Sequence, residues 1–234
     1  MQASPPYHIQ PLGDSAISIS FGNRIDRQLN ERVMTMFRYL RKHLPGGVTD
    51  IVPAYSSLTL HYDYRYWQKE MANGMSVFEV LKQDLESLFE SALTTEHSVS
   101  NLVKIPVCYE GRHAPDLSIV ASMAGLRPAE VIAQHTEKSY HVYMLGFLPG
   151  FAYMGEVAET IAMPRKDRPQ PTVAGSVGIA GLQTGVYPLD SPGGWHIIGR
   201  TPLAMFDADS GQSRLQPGDQ VQFYPISSHE FIHY

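Results

Sequence analysis

The chain has 234 residues, of which 43% are hydrophobic and 18% charged, and its formal net charge is −5. That length holds one large domain or two modest ones, each able to bury a core, and the composition is that of a folded globular protein. Basic residues are spread over both halves, which argues against nucleic-acid binding. No apolar run reaches the length of a membrane span, and the single cysteine, Cys108, excludes an internal disulfide and a cysteine-based zinc site.

Residues 1–11 have neither the basic n-region nor the apolar h-region of a signal peptide, so a cytoplasmic protein is expected. Strands are expected over 7–10 and 16–21, where Ile17, Ile19 and Phe21 alternate with Ala16, Ser18 and Ser20. Over 26–44 the period changes to that of a helix. Leu29, Val33, Met36, Phe37, Leu40 and Leu44 form one stripe, Asp26 is the N-cap and Pro45-Gly46-Gly47 is the stop. Strands follow near 49–53 and 58–62. A second long helix begins at Ser76, whose spacing to Glu79 is that of a capping box, with Phe78, Leu81, Leu85, Leu88 and Phe89 on its apolar face. The order ββαββα suits a two-layer α/β domain, residues 1–97, with a linker within 94–100.

The second domain is expected over 98–234. Val103, Ile105, Val107 and Tyr109 alternate as a strand, and two short helices follow over 116–124 and 128–134. From Tyr140 onward, Gly, Pro and β-branched residues recur at turn-like spacing, the pattern of a compact β barrel or sandwich. The fold class is therefore α+β.

Several motifs fail on inspection. The helical pair at 116–134 resembles a helix-turn-helix, but after Arg127 its second helix offers only Glu130, Gln134 and His135 to a base edge, too little to read DNA. Ala174-Gly175-Ser176-Val177-Gly178 resembles a nucleophile elbow but lacks the first glycine and a following helix. The ten histidines show no metal-binding spacing, so no metal is expected, and no P-loop for ATP is present. Three stretches look unlike ordinary core. Residues 144–153 carry Phe147, Phe151 and Tyr153 on a Pro-Gly loop. Residues 175–188 bring closely spaced glycines with Gln183, Thr184 and Tyr187. Residues 191–202 carry Trp195 and His196 beside a Gly-Gly turn, then Arg200, whose fork grips a carboxylate or phosphate. Aromatic residues among glycines suit an interface better than solvent, which marks Phe147, Phe151, Tyr153, Tyr187 and Trp195 as partner-facing.

These stretches, with Gly13-Asp14-Ser15-Ala16 and Val52-Pro53-Ala54-Tyr55, closely resemble the family of B-type subunits of bacterial 5-oxoprolinase. That family is also known as KipI, the histidine-kinase inhibitor, and as allophanate hydrolase subunit 1, and it is similar to one half of the carboxyltransferase domain of urea carboxylase. The resemblance runs from about residue 12 to 226. It implies an N-terminal α/β domain and a C-terminal cyclophilin-like β barrel. It also implies two partners, 5-oxoprolinase subunits C and A, and ATP as co-substrate for hydrolysis of 5-oxo-L-proline to glutamate. One departure stands out. Pro164-Arg165 is present, but Gln170 follows Pro169 where relatives carry a second arginine, and Val173 runs into Ala174 without an intervening proline.

A lactam is a poor electrophile, and phosphorylation of its carbonyl oxygen by ATP makes that oxygen a leaving group. Such chemistry needs donors for developing oxyanion charge and clamps for phosphoryl and carboxylate groups. On residue type and resemblance, Gln183, Thr184 and Arg200 are assigned to catalysis, and Arg165, Gly175, Ser176, Gly178 and His196 to substrate binding. The absence of an evident general base suits a site completed by another chain. The alternative reading is a regulator that binds a sensor histidine kinase. A prolyl isomerase would rest on fold analogy alone.

Overall fold

The computed structural model describes residues 7–70, 75–92 and 100–234. It divides into two compact units, Met1–Val99 and Ser100–Tyr234. Apart from Ser100, the expected linker lies outside the described residues.

The first unit runs β1 (His8–Pro11), β2 (Ala16–Ser20), α1 (Arg27–Lys42), β3 (Val48–Pro53), β4 (Ser57–Tyr62), α2 (Tyr64–Glu70) and α3 (Val77–Ala92). The strands form an antiparallel sheet in the order β1-β2-β4-β3. Its core joins Ile17, Ile19, Leu58 and Leu60 of the sheet to Val33, Met36 and Leu40 of α1 and Leu81, Leu85 and Phe89 of α3. Local chemistry sets the helix starts. The Asp26 carboxylate accepts from the Leu29 amide at 3.0 Å, and Ser76 and Glu79 close the capping box expected of them. Helix α1 stops at Lys42, earlier than expected, because His43 caps it and Leu44 turns to solvent. The unexpected element is α2, seven residues too short to show a helical stripe. Tyr66 and Trp67 on it lie where a side chain on Gly46 or Gly47 would stand, so these glycines seat α2.

The second unit runs β5 (Leu102–Cys108), α4 (Leu117–Ala124), α5 (Pro128–Thr136), β6 (Ser139–Leu145), β7 (Ala152–Gly155), β8 (Gln170–Thr172), β9 (Ser176–Ala180), β10 (Gln183–Val186), β11 (Ser191–Gly193), β12 (His196–Arg200), β13 (Phe206–Asp207), β14 (Gln212–Ser213), β15 (Gln220–Ile226) and α6 (Ser228–Ile232). Seven strands close a barrel in the order β10-β7-β6-β15-β5-β12-β9, with β9 pairing back to β10. One pair, β15 with β5, is parallel. The closed ring leaves no open edge. Ile105, Val107, Tyr140, Val142, Met154, Val177, Ile179, Val186, Ile198 and Phe223 fill the interior. Helices α4 and α5 add Leu117, Val120, Ala121 and Val131 to that core, so the pair is a packed flank of the barrel. Among the described residues, no helix is long and apolar enough to cross a membrane, and no group of three or more His, Cys, Asp and Glu could hold a metal ion.

Candidate functional site

Strand alternation sorts the candidate residues into three places. Val177, Ile179 and Val186 face the interior, which turns Gly178 and Gly185 outward on neighbouring positions of β9 and β10. That outer floor is covered. A Cβ on Gly178 would stand 3.0 Å from the Trp195 Cβ, and one on Gly185 would stand 3.0 Å from the Trp195 ring and 3.1 Å from Phe151. The two glycines let aromatic rings lie on bare backbone, which leaves the Gly178 backbone, assigned from the sequence to substrate binding, covered. Phe151 meets Trp195 at 5.3 Å, Tyr187 at 5.2 Å and Tyr153 at 4.8 Å between ring centres, all edge to face.

This cluster corrects the expectation of exposed aromatic loops. Phe151, Tyr187 and Trp195 are buried, packed with Ala180 and Ile197 as a second small core on the barrel's outer face. Each stands just outside a strand, Phe151 before β7, Tyr187 after β10 and Trp195 before β12, and the packing of these three connections on one another is what buries them. Phe147 is the exception. It is 60% exposed, leans on Phe151 at 5.6 Å, and holds a left-handed backbone with φ 65°. It is the one non-glycine residue with positive φ among those described, and a phenylalanine there is strained.

Arg165 borders the same cluster. Burial raises the Tyr153 and Tyr187 phenols above their ordinary values, while the Arg165 charge pulls both down. The loop carrying Arg165 is tied down by its neighbour. Lys166 donates its amide to Gly194 at 2.8 Å, and its ammonium meets the Asp116 carboxylate at 2.6 Å. The same Asp116 oxygen accepts from the Ile197 amide at 2.6 Å, and the Asp116 amide donates to the Ile197 carbonyl. One carboxylate thus joins the start of α4, strand β12 and the Arg165 loop. Replacing Asp116 by alanine is expected to destabilise the barrel by about 2–3 kcal/mol in urea unfolding, since a mostly buried ammonium and amide lose their acceptor. Arg127→Ala, which breaks only the exposed ion pair to Glu130 and keeps the backbone amide that Glu130 accepts, should leave the transition unchanged. Neither Asp116 nor Lys166 carries a motif that would have revealed it in the sequence.

Gly175, Ser176 and Arg200 lie together at one end of β9 and β12, where Arg200 pairs with Ser176. The backbone amides of Gly175 and Ser176, both assigned to substrate binding, are already used. Gly175 donates to Tyr187 at 2.7 Å and Ser176 to Val173 at 3.1 Å. Ser176 is buried, which removes it further from a nucleophile's position. Gly175 has φ 84°, and a side chain on it would collide with the Thr201 carbonyl oxygen. Gly175→Ala should therefore cost about 3 kcal/mol, against about 1 kcal/mol for Gly181→Ala, where φ is 56° in open space. Thermal unfolding of the two variants side by side checks this. Arg200 donates Nε to the Ala174 carbonyl at 2.9 Å and holds its guanidinium near the Phe231 ring.

Thr184 and His196 face inward. The Thr184 hydroxyl donates to the Gly178 carbonyl at 3.0 Å and lies 2.9 Å from His135 Nε2, whose other ring nitrogen meets the Tyr109 hydroxyl at 2.8 Å. Because Thr184 spends its proton on Gly178, the His135 Nε2–H donates to Thr184 and Nδ1 accepts from Tyr109. The chain of bonds is satisfied without a charge. Burial holds the His135 imidazole down at about 3. His196 is buried, and its Nδ1 has no partner among the described residues. Gln183 pairs with Ala180 and Gly155 on the outer face.

The comparisons with known proteins fall on this fold. A family model described as carboxyltransferase domain, subdomain C and D, matches residues 7–215. The chain is 44% identical over 231 residues to the B-type subunit of 5-oxoprolinase from Bacillus subtilis (strain 168), covering 97% of this chain and 96% of that protein. It is 48% identical over 208 residues to the B-type subunit of 5-oxoprolinase from Escherichia coli O157:H7, covering 79% and 95%. Among solved structures, TTHA0988 in space group P212121 superposes with a TM-score of 0.76 at 35% identity over 91% of this chain. This chain spans 40% of that longer one. The chain belongs to the carboxyltransferase-domain family, subdomain C and D, and within it to the relatives that are B-type subunits of 5-oxoprolinase.

Proposed function

We propose that this chain is the B-type subunit of an ATP-dependent 5-oxoprolinase that opens 5-oxo-L-proline to L-glutamate, yielding ADP and phosphate together with subunits A and C. The observation that carries this reading is identity of 44% over nearly the full length of a protein named as that subunit. The exposed, strained Phe147 beside a buried aromatic cluster supports dependence on a partner, because a conformational cost of that kind is retained where another surface uses it.

The chemistry runs in two stages. The lactam carbonyl oxygen attacks the γ-phosphorus of ATP and ADP leaves. Water then adds to the activated carbon, and the ring C–N bond breaks as the nitrogen takes up a proton, which leaves an acyl phosphate from which a second water displaces phosphate. That step delivers the carboxylate, so two waters are consumed in all. In this chain Arg200 and Arg165 are the clamps for anionic groups, with Gln183 as an uncharged donor on the outer face. Thr184 acts through the backbone instead, since its hydroxyl holds Gly178 from inside the barrel.

The test is product formation. Subunits A and C mixed with this chain, ATP and 5-oxo-L-proline should release glutamate and phosphate. Arg200→Lys, which keeps the charge but loses the planar fork, should lower that rate at least tenfold with little change in thermal stability. Release of glutamate at the full rate from this chain alone would overturn the shared-site reading. Failure to associate with the C-type subunit would favour the kinase-regulator reading.

A further inference from the structure

Strand β5 brings a second group of residues to the Arg200 end of the barrel. Cys108 pairs with Arg200, and the chain then turns through Glu110, Arg112 and His113. Helix α6 covers this corner. Its Ser228 amide donates to the Glu110 carboxylate at 2.9 Å, and its Phe231 ring packs on His113 with centres 4.2 Å apart and planes tilted by 38°. The Arg200 guanidinium carbon stands 5.7 Å from the centre of the same Phe231 ring.

Two features of this corner are left over by folding. Arg200 is partly buried, yet its only hydrogen bond runs from Nε to Ala174, so the two-nitrogen fork at its tip has no partner among the described residues. His113 is only 6% exposed, and its Nδ1 is buried without a partner among the described residues. A buried donor or acceptor normally finds a partner, and His113 Nδ1 has none, while the partly exposed Arg200 fork beside the same aromatic ring bonds no described residue. The charges acting on His113 are Arg112, Arg200 and Glu110, two positive and one negative. Desolvation first, then the two guanidinium groups, hold the imidazole below its ordinary value.

We propose that Arg200, His113 and Phe231 form a subsite for the single carboxylate of a small organic acid. The Arg200 fork matches the two oxygens of a carboxylate in parallel hydrogen bonds. The Arg200 fork suits a monoanion, and the nearby Glu110 and Glu230 carboxylates disfavour a phosphate dianion. The neutral His113 ring supplies one further hydrogen bond, and Phe231 walls the apolar side of the acid. The identity of the acid as 5-oxo-L-proline rests on the proposed function, whereas the subsite itself does not.

The full chain, alone and with the C-type subunit, is titrated with 5-oxo-L-proline, acetate, neutral 2-pyrrolidone and inorganic phosphate, while the ring protons of His113 and Phe231 are followed by NMR. The subsite predicts that 5-oxo-L-proline, acetate or both shift these signals and that 2-pyrrolidone and phosphate do not. Arg200→Lys should weaken that binding at least tenfold. His113→Phe, which keeps the packed ring and removes the nitrogens, should weaken it severalfold, and Arg27→Lys in the first unit should leave it unchanged. Equal response to phosphate, or no response to either acid in the lone chain and the complex alike, overturns the subsite. Glutamate release measured in parallel separates the two readings, since turnover that persists without binding here leaves the enzyme reading standing.

Discussion

Replacement of His135 by leucine is expected to destabilise the barrel unit by about 3 kcal/mol, among the largest effects of any single substitution here. The imidazole is fully buried, bonds Tyr109 on one side and Thr184 on the other, and stacks on Phe223 with centres 4.7 Å apart. Leucine fills much of the volume but leaves the buried Tyr109 hydroxyl without an acceptor, which costs about 1–3 kcal/mol, and loses a second hydrogen bond and the stacking. Combining it with Tyr109→Phe should recover part of the loss, because the stranded hydroxyl is then gone. The same residue predicts an acid limit. The folded imidazole is held at about 3, below its ordinary 6.5, so the unfolded chain binds a proton that the folded chain refuses. Stability is therefore full above about pH 6.5 and falls by up to about 1.4 kcal/mol per unit as pH drops toward 3. Urea unfolding at a series of pH values should show that slope in the wild type and a shallower one in His135→Leu. An unchanged slope would remove His135 from the account.

Phe147→Asp should have the opposite signature. The ring is exposed and its backbone strained, so the lone chain gains from relieving the strain about what it loses in contact with Phe151 and Tyr187. Its thermal stability should change by less than about 1 kcal/mol. Association with the C-type subunit should weaken at least tenfold, because an aromatic anchor is replaced by a charge that assembly must desolvate. Calorimetric titration of that subunit into wild type and variant measures this. Equal affinity would assign Phe147 to a local role in its loop.

Much of the fold was legible because its signals are local. The α1 stripe, the Asp26 cap, the Ser76–Glu79 box and the alternation in β5 each depend on residues a few positions apart. The elements that escaped are short or depend on distant partners. Helix α2 spans two turns, and the parallel pairing of β15 with β5 joins strands more than a hundred residues apart in the chain. The candidate site was legible in its residue types more than in its arrangement. The glycines of residues 175–188 were visible, but nothing local says that Gly178 and Gly185 are paved over by Trp195 and Phe151, or that Thr184 turns inward toward His135. Asp116, Lys166 and His113 gave no signal because their partners come from other elements.

The central claim is that this chain is one part of a 5-oxoprolinase and not a complete enzyme. Its most direct test is ATP hydrolysis stimulated by 5-oxo-L-proline, measured with subunits A and C in the presence and absence of this chain. Stimulation is expected only when all three are present. Stimulation that is undiminished when this chain is left out would contradict it.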